Sequence, residues 1–155
     1  MARRVVLDAS VIAKWFLEEE YRDEALKIRE DFIYGKIRIL APSILPFEVL
    51  NAIRFSRGDI SPSCLEDIAT SLSLYGFELY DLTFNDDYRR EISHISLGRS
   101  VSVYDASYVA LAKVMRADLF TADERLIRRL KGSDDEKYVF HIKDYEAIIP
   151  LNPTL

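Results

Sequence analysis

The chain has 155 residues, with 21 Lys and Arg against 26 Asp and Glu, and a formal net charge of −5 at pH 7. That length suits one compact domain over 1–155, and a hydrophobic share of 49% with 30% charged residues argues against disorder. One cysteine, Cys64, rules out an internal disulfide framework and a cysteine-based zinc site, and the acidic balance argues against nonspecific coating of nucleic acid or anionic membrane.

In chain order, residues 3–7 form a short β-rich run ending at Asp8, which predicts a buried strand. Apolar residues at helical spacing (Val11, Ile12, Trp15, Phe16) predict a helix over 9–19, and Ala25, Ile28 and Phe32 predict a second over 21–34. A strand over 37–41 follows, then a helix over 43–56 with Pro46 in its first turn. Ser61-Pro62 is a helix start, and Gly76 a stop just after Tyr75. A weak strand is predicted over 77–82, then a helix from the Thr83–Asp86 capping region to Leu97, stopped by Gly98. The apolar helix 103–116, the strand 119–121, the helix 123–130 and a last strand over 138–142 complete the pattern. Strands alternating with helices predict an α/β/α sandwich around a mostly parallel sheet. The longest apolar stretch, 101–115, is interrupted by Ser102, Asp105 and Lys113, so no membrane-spanning helix is expected. The run Val5–Leu7 is too short for the core of an export signal, and the chain is read as cytoplasmic.

Most acids lie in runs such as Glu18-Glu19-Glu20 and Asp134-Asp135-Glu136, which read as solvated surface. Four do not. Asp8, Glu48, Asp105 and Asp123 have mainly apolar or small neighbours. A buried carboxylate needs a partner, a proton or a metal. Asp8 and Asp123 each follow a predicted strand and open the next helix, so a parallel sheet brings them to one edge, where such folds bind ligands. Glu48 and Asp105 fall in first turns of helices that begin at that edge. Taken singly, Asp8 and Asp123 are ordinary helix N-caps, Asp105 a favourable first-turn acid, and Glu48 part of an exposed stripe. Taken together, the four repel: two carboxylates 4 Å apart cost about 4 kcal/mol at an effective dielectric of 20. A hard divalent cation, Mg²⁺ or Mn²⁺, answers an all-oxygen set. Asn51, one turn after Glu48, and Ser10 and Thr121, each two residues from a key Asp, are candidates to hold carboxylates or metal-bound water.

The segments Leu7-Asp8-Ala9-Ser10, Pro42-Ser43 through Glu48 to Asn51, Tyr104-Asp105-Ala106-Ser107-Tyr108 and Phe120-Thr121-Ala122-Asp123 resemble the PIN-domain pattern, with the size and closing segment of the VapC-type toxins of prokaryotic toxin–antitoxin pairs. The resemblance implies a three-layer α/β/α sandwich and Mg²⁺- or Mn²⁺-dependent endoribonuclease activity. It makes Asp8, Glu48, Asp105 and Asp123 the metal-binding and catalytic acids. It further implies a homodimer and a small antitoxin whose tail fills a groove near the active site. Candidate phosphate contacts are Arg99, Lys113 and Arg116, with Arg54, Arg57, Arg125, Arg128 and Arg129 on neighbouring segments. Tyr104 and Tyr108 are candidates for base stacking or core packing. The rival readings are a housekeeping PIN nuclease for RNA maturation or DNA, and a non-catalytic module whose acids hold a structural cation. Setting the four acids aside leaves 21 cations against 22 anions. On this reading the acidic balance is largely the signature of one site.

Overall fold

A computed structural model describes residues 2–149. The most hydrophobic short runs become the sheet. Strands β1 (Arg3–Leu7), β2 (Ile37–Pro42), β3 (Glu78–Tyr80), β4 (Asp118–Thr121) and β5 (Val139–His141) lie in the order β3-β2-β1-β4-β5. Every neighbouring pair is parallel, so the sheet is parallel throughout rather than mostly so. Val5 sits opposite Ile39 on one side and Asp118 on the other. With neighbours on both edges and helices over both faces, β1 carries an unbroken apolar run, and Val5, Val6 and Leu7 are fully buried.

Helices α1 (Ala9–Ile12) and α2 (Arg22–Ile33) join β1 to β2, and α3 (Leu45–Ser56) and α4 (Pro62–Leu74) join β2 to β3. Helices α5 (Asp86–Arg99) and α6 (Val103–Met115) carry the chain back across the sheet to β4, α7 (Glu124–Leu130) leads to β5, and α8 (Tyr145–Ile148) follows. Parallel connections are right-handed, so the outward steps from β1 put their helices on one face and the return steps on the other. This is the three-layer sandwich that the alternation predicts. Helix α6 packs on β1, β2 and β4 and is covered by α5. That explains why Ala106 to Ala112 are all buried on a helix with no polar face there.

The helix predicted over 9–19 is shorter. After Ile12 the chain tightens into a 3₁₀ turn, Ala13–Trp15, because Phe16 and Leu17 both donate to the Ala13 carbonyl and Trp15 Nε1 donates to Ala25 O at 2.9 Å. The indole thus fixes the return into α2, and Tyr21 takes a left-handed conformation, φ 64°, to make the corner. Gly98 does not stop α5. The helix continues through it to Arg99 and ends where Ser100 turns left-handed, with Ser96 O accepting the Ser100 and Val101 amides.

Two buried acids outside the predicted set tie elements together. Asp31 accepts from Lys27 Nζ at 3.0 Å and from the Tyr145 hydroxyl at 2.9 Å, which joins α2 to α8. Asp135 accepts from Arg99 Nε at 3.0 Å and Lys113 Nζ at 3.2 Å, which joins the loop before β5 to α5 and α6. The run Asp134-Asp135-Glu136 is therefore not uniformly surface, since Asp135 is buried. No helix among the described residues is long and apolar enough to cross a membrane.

Candidate active site

Strand β1 leads outward to β2, while β4 lies on its other side, so the topology switches direction between β1 and β4. Crevices at the carboxyl ends of strands at such a switch are where open parallel sheets bind ligands. Asp8 is the first residue past β1, and Asp123 lies two past β4.

All four candidate acids stand at helix N-termini. Asp8 caps α1, Asp123 caps α7, and Glu48 and Asp105 lie in the first turns of α3 and α6. The single-residue explanations for Asp8 and Asp123 therefore hold as well: Asp8 accepts from Ser10 N, and Asp123 from Arg125 N and Leu126 N at 3.0 and 3.2 Å. The positive ends of four helix dipoles offset part of the repulsion among the acids.

Ser10 and Thr121 lace the two central turns together. Asp8 accepts from Ser10 N at 3.1 Å and Ser10 Oγ at 2.5 Å through one oxygen, and from Thr121 Oγ1 through the other. Ser10 Oγ in turn accepts from Ala122 N at 3.0 Å, and Thr121 Oγ1 from Asp123 N at 2.9 Å. Each hydroxyl donates a hydrogen bond to Asp8 while accepting one from a backbone N–H of the β4–α7 turn. Both are placed as carboxylate holders.

Burial pushes Asp8 up to about 6, against the pull of the Ser10 and Thr121 hydrogen bonds and with help from the charges of Asp123 and Asp105. Asp105 is raised by burial and by Asp123, with Ser102 and Arg125 opposing. Glu48 is raised by burial and by Asp105, with Tyr108 opposing. The four acids thus form one electrostatic group. Asp105 and Asp123 share a pocket of about 210 Å³ with Arg125 and Arg129.

Asn51 is exposed on α3, in line with exposed Phe47 and Phe55, rather than turned to Glu48's carboxylate as an established partner. The group that holds Glu48 is Tyr108, whose hydroxyl donates to Oε1 at 2.7 Å. Sequence reasoning did not pair them. The available signal was a tyrosine one turn past Asp105 on an otherwise aliphatic buried helix, where its hydroxyl requires a partner.

The structure gives two of the predicted phosphate contacts, Arg99 and Lys113, acidic partners and sets the third, Arg116, apart from the acids. Arg99 and Lys113 are committed to Asp135, and Lys113 also to Glu91 at 2.9 Å. Arg116 follows the last residue of α6, while Asp105 is in its first turn. At 1.5 Å per residue, that puts it roughly 16 Å along the helix, at the opposite edge of the sheet. Arg125 and Arg129 line the acid pocket instead and are exposed.

Among the described residues no three His, Cys, Asp or Glu side chains are disposed as a ready metal cage. The donor chemistry nonetheless fits a hard cation: oxygen only, and three acids held above the usual carboxylate range by burial and by one another's charge.

Fold and site together define a class, a doubly wound parallel α/β protein that gathers carboxylates from four helix N-termini at its switch point. The PIN domain family model matches residues 5–132. The chain belongs to the PIN domain family, a family of nucleases. Among solved structures it is similar to a toxin–antitoxin complex from Klebsiella pneumoniae (TM-score 0.61, 15% identity, 89% of this chain and 97% of that one). It is also similar to DNA-bound VapBC from Salmonella typhimurium (0.60, 17%, 92% and 99%) and to PAE2754 from Pyrobaculum aerophilum (0.54, 24%, 96% and 97%). No match was found among the curated proteins compared.

Proposed function

We propose that this chain, as a single domain over 1–155, is a Mg²⁺- or Mn²⁺-dependent endoribonuclease and the toxin of a toxin–antitoxin pair. The observation that carries this reading is the convergence of Asp8, Glu48, Asp105 and Asp123 at one sheet edge, where burial raises Asp8, Glu48 and Asp105 and the acids act on one another's charge. The four acids are the residues to hold the cation. When bound, a divalent ion supplies Lewis acidity that activates water and neutralises charge developing on the phosphate. The protein's own work is positional. Ser10 and Thr121 fix both oxygens of Asp8, Tyr108 fixes Glu48, and Ser102 caps the turn that presents Asp105. Arg125 and Arg129 stand where a phosphate entering the acid pocket meets positive charge. The toxin assignment draws on similarity to the two toxin–antitoxin structures. A homodimer and a small antitoxin go with it. The exposed stripe Phe47, Asn51 and Phe55 on α3, beside Glu48, offers a surface for a partner helix.

The test is cleavage of labelled RNA with Mg²⁺, Mn²⁺ or EDTA. Wild type cleaves only with metal, and Asp105→Asn is inactive while still folded. Full activity of Asp105→Asn sinks the assignment; cutting of DNA and not RNA moves the substrate to the rival nuclease reading. Metal binding without any cleavage supports the non-catalytic module. Gel filtration after co-expression with a candidate antitoxin tests the partner, and a lone monomer counts against it.

A further inference from the structure

The first turn of α6 divides two pockets. Ser102 and Asp105 face the acid pocket, while Val103, Tyr104 and Ser107 line a second pocket of about 220 Å³ on the other side. This second pocket is floored by buried Tyr88 and Ile92 and also bounded by Ile44 of the turn into α3. Its rim is unusually apolar for open surface: Leu82, Val103 and Tyr104 are 60%, 57% and 59% exposed. One charged group stands at the mouth, Asp81. Thr83 donates to its Oδ1 through N at 2.8 Å and through Oγ1 at 2.5 Å, which holds the carboxyl below its usual range and so ionised.

Resting on the nuclease reading, we propose that this pocket is a nucleobase subsite, seating the base next to the phosphate held at the acids and favouring bases that carry an amino group. The size of the pocket, its apolar walls and an exposed tyrosine suit a flat aromatic ring, since base–aromatic stacking tolerates any base. Tyr104 precedes Asp105 directly, so a strand crossing the first turn of α6 has its phosphate on one side and a base on the other. Asp81 adds selectivity. An ionised carboxylate accepts only, as in pairing to the amino group of cytosine. Adenine, cytosine and guanine present amino donors. Uracil presents two carbonyl oxygens flanking its single N–H, and the carboxylate repels them.

The experiment titrates ¹⁵N-labelled protein in EDTA, where no cleavage occurs, with each of the four nucleoside 5′-monophosphates. Amide shifts should cluster at Leu82, Val103 and Tyr104, and the uridine nucleotide should bind most weakly. Tyr104→Ser, at an exposed position, should lower affinity roughly 10-fold. Asp81→Asn should erase the discrimination against uridine. In metal, the same two variants should flatten the base preference of cleavage beside the cut site. Localised shifts in a protein that cleaves nothing retain the subsite and reject the nuclease. Active cleavage with no shifts there, and an unaltered cut preference in both variants, overturns the subsite and retains the nuclease. Loss of a co-expressed partner protein on Tyr104→Ser, with no nucleotide shifts, assigns the pocket to a peptide side chain and also overturns it.

Discussion

Asp8 makes the stability of the metal-free protein fall with rising pH, and Asp8→Asn removes that dependence. Burial holds its folded pKa at about 6 against 3.8 for an ordinary aspartate. Between these values the folded chain keeps a proton that the unfolded chain has released. Stability is therefore greatest below pH 3.8, is lost as pH climbs through 6, and is level above. The full difference of about 2 units is worth roughly 3 kcal/mol at 1.36 kcal/mol per unit. Other carboxylates titrate in the same range, so the quantity to measure is the difference between wild type and Asp8→Asn. The substituted amide disturbs the hydrogen bond with Thr121, at about 1 kcal/mol, but that offset is constant with pH and cancels. Urea unfolding in EDTA at intervals from pH 4 to 7.5 should show Asp8→Asn gaining about 2 kcal/mol or more on wild type across the range. Parallel curves would refute the claim that Asp8 is a buried acid held out of its normal range.

Other outcomes follow from the same contacts. Added Mn²⁺ at 100 times its Kd should stabilise wild type by about 2.7 kcal/mol in thermal unfolding, and Asp8→Asn much less. Tyr108→Phe leaves Glu48 without its 2.7 Å donor, so RNA cleavage should fall about 10-fold or more while urea stability changes by about 1 kcal/mol. Tyr145→Phe strips one donor from the buried Asp31 and should cost about 1–3 kcal/mol in urea unfolding without changing metal binding by calorimetry. Arg125→Ala should weaken RNA binding and reduce its salt dependence, measured by fluorescence anisotropy in EDTA.

Asp8, Glu48 and Asp123 could be grouped from the sequence because each interrupts an apolar segment just after a strand, and parallel topology sends such strand–helix junctions to one edge; Asp105 stands instead where α6 follows α5, marked only by its apolar surroundings. Ser10 and Thr121 were legible from their spacing to an Asp. The partnership of Tyr108 with Glu48 was not, because it joins residues 60 apart through packing that no local pattern encodes. Arg99 and Lys113 looked free because their partner, Asp135, sits in an acidic run that reads as surface. Only the docking of that loop against α5 and α6 shows which of its three acids is buried. Gly98 misled for a different reason. Glycine ends helices by adopting a left-handed turn, but here Ser96 satisfies the terminal amides two residues later and Ser100 makes the turn.

The Thr121–Asp8 hydrogen bond spans 113 residues of chain. Its strand, β1, is made first yet needs β4 beside it before its second edge is covered. Chains emerge from the ribosome amino end first, so a nascent chain halted before residue 118 has β1, β2 and β3 but neither Thr121 nor Asp123. Asp8, Glu48 and Asp105 are then present without the turn that aligns the first of them. For the proposed nuclease, the four-acid site is complete only with the last quarter of synthesis. A short partner made nearby would have that interval in which to be ready.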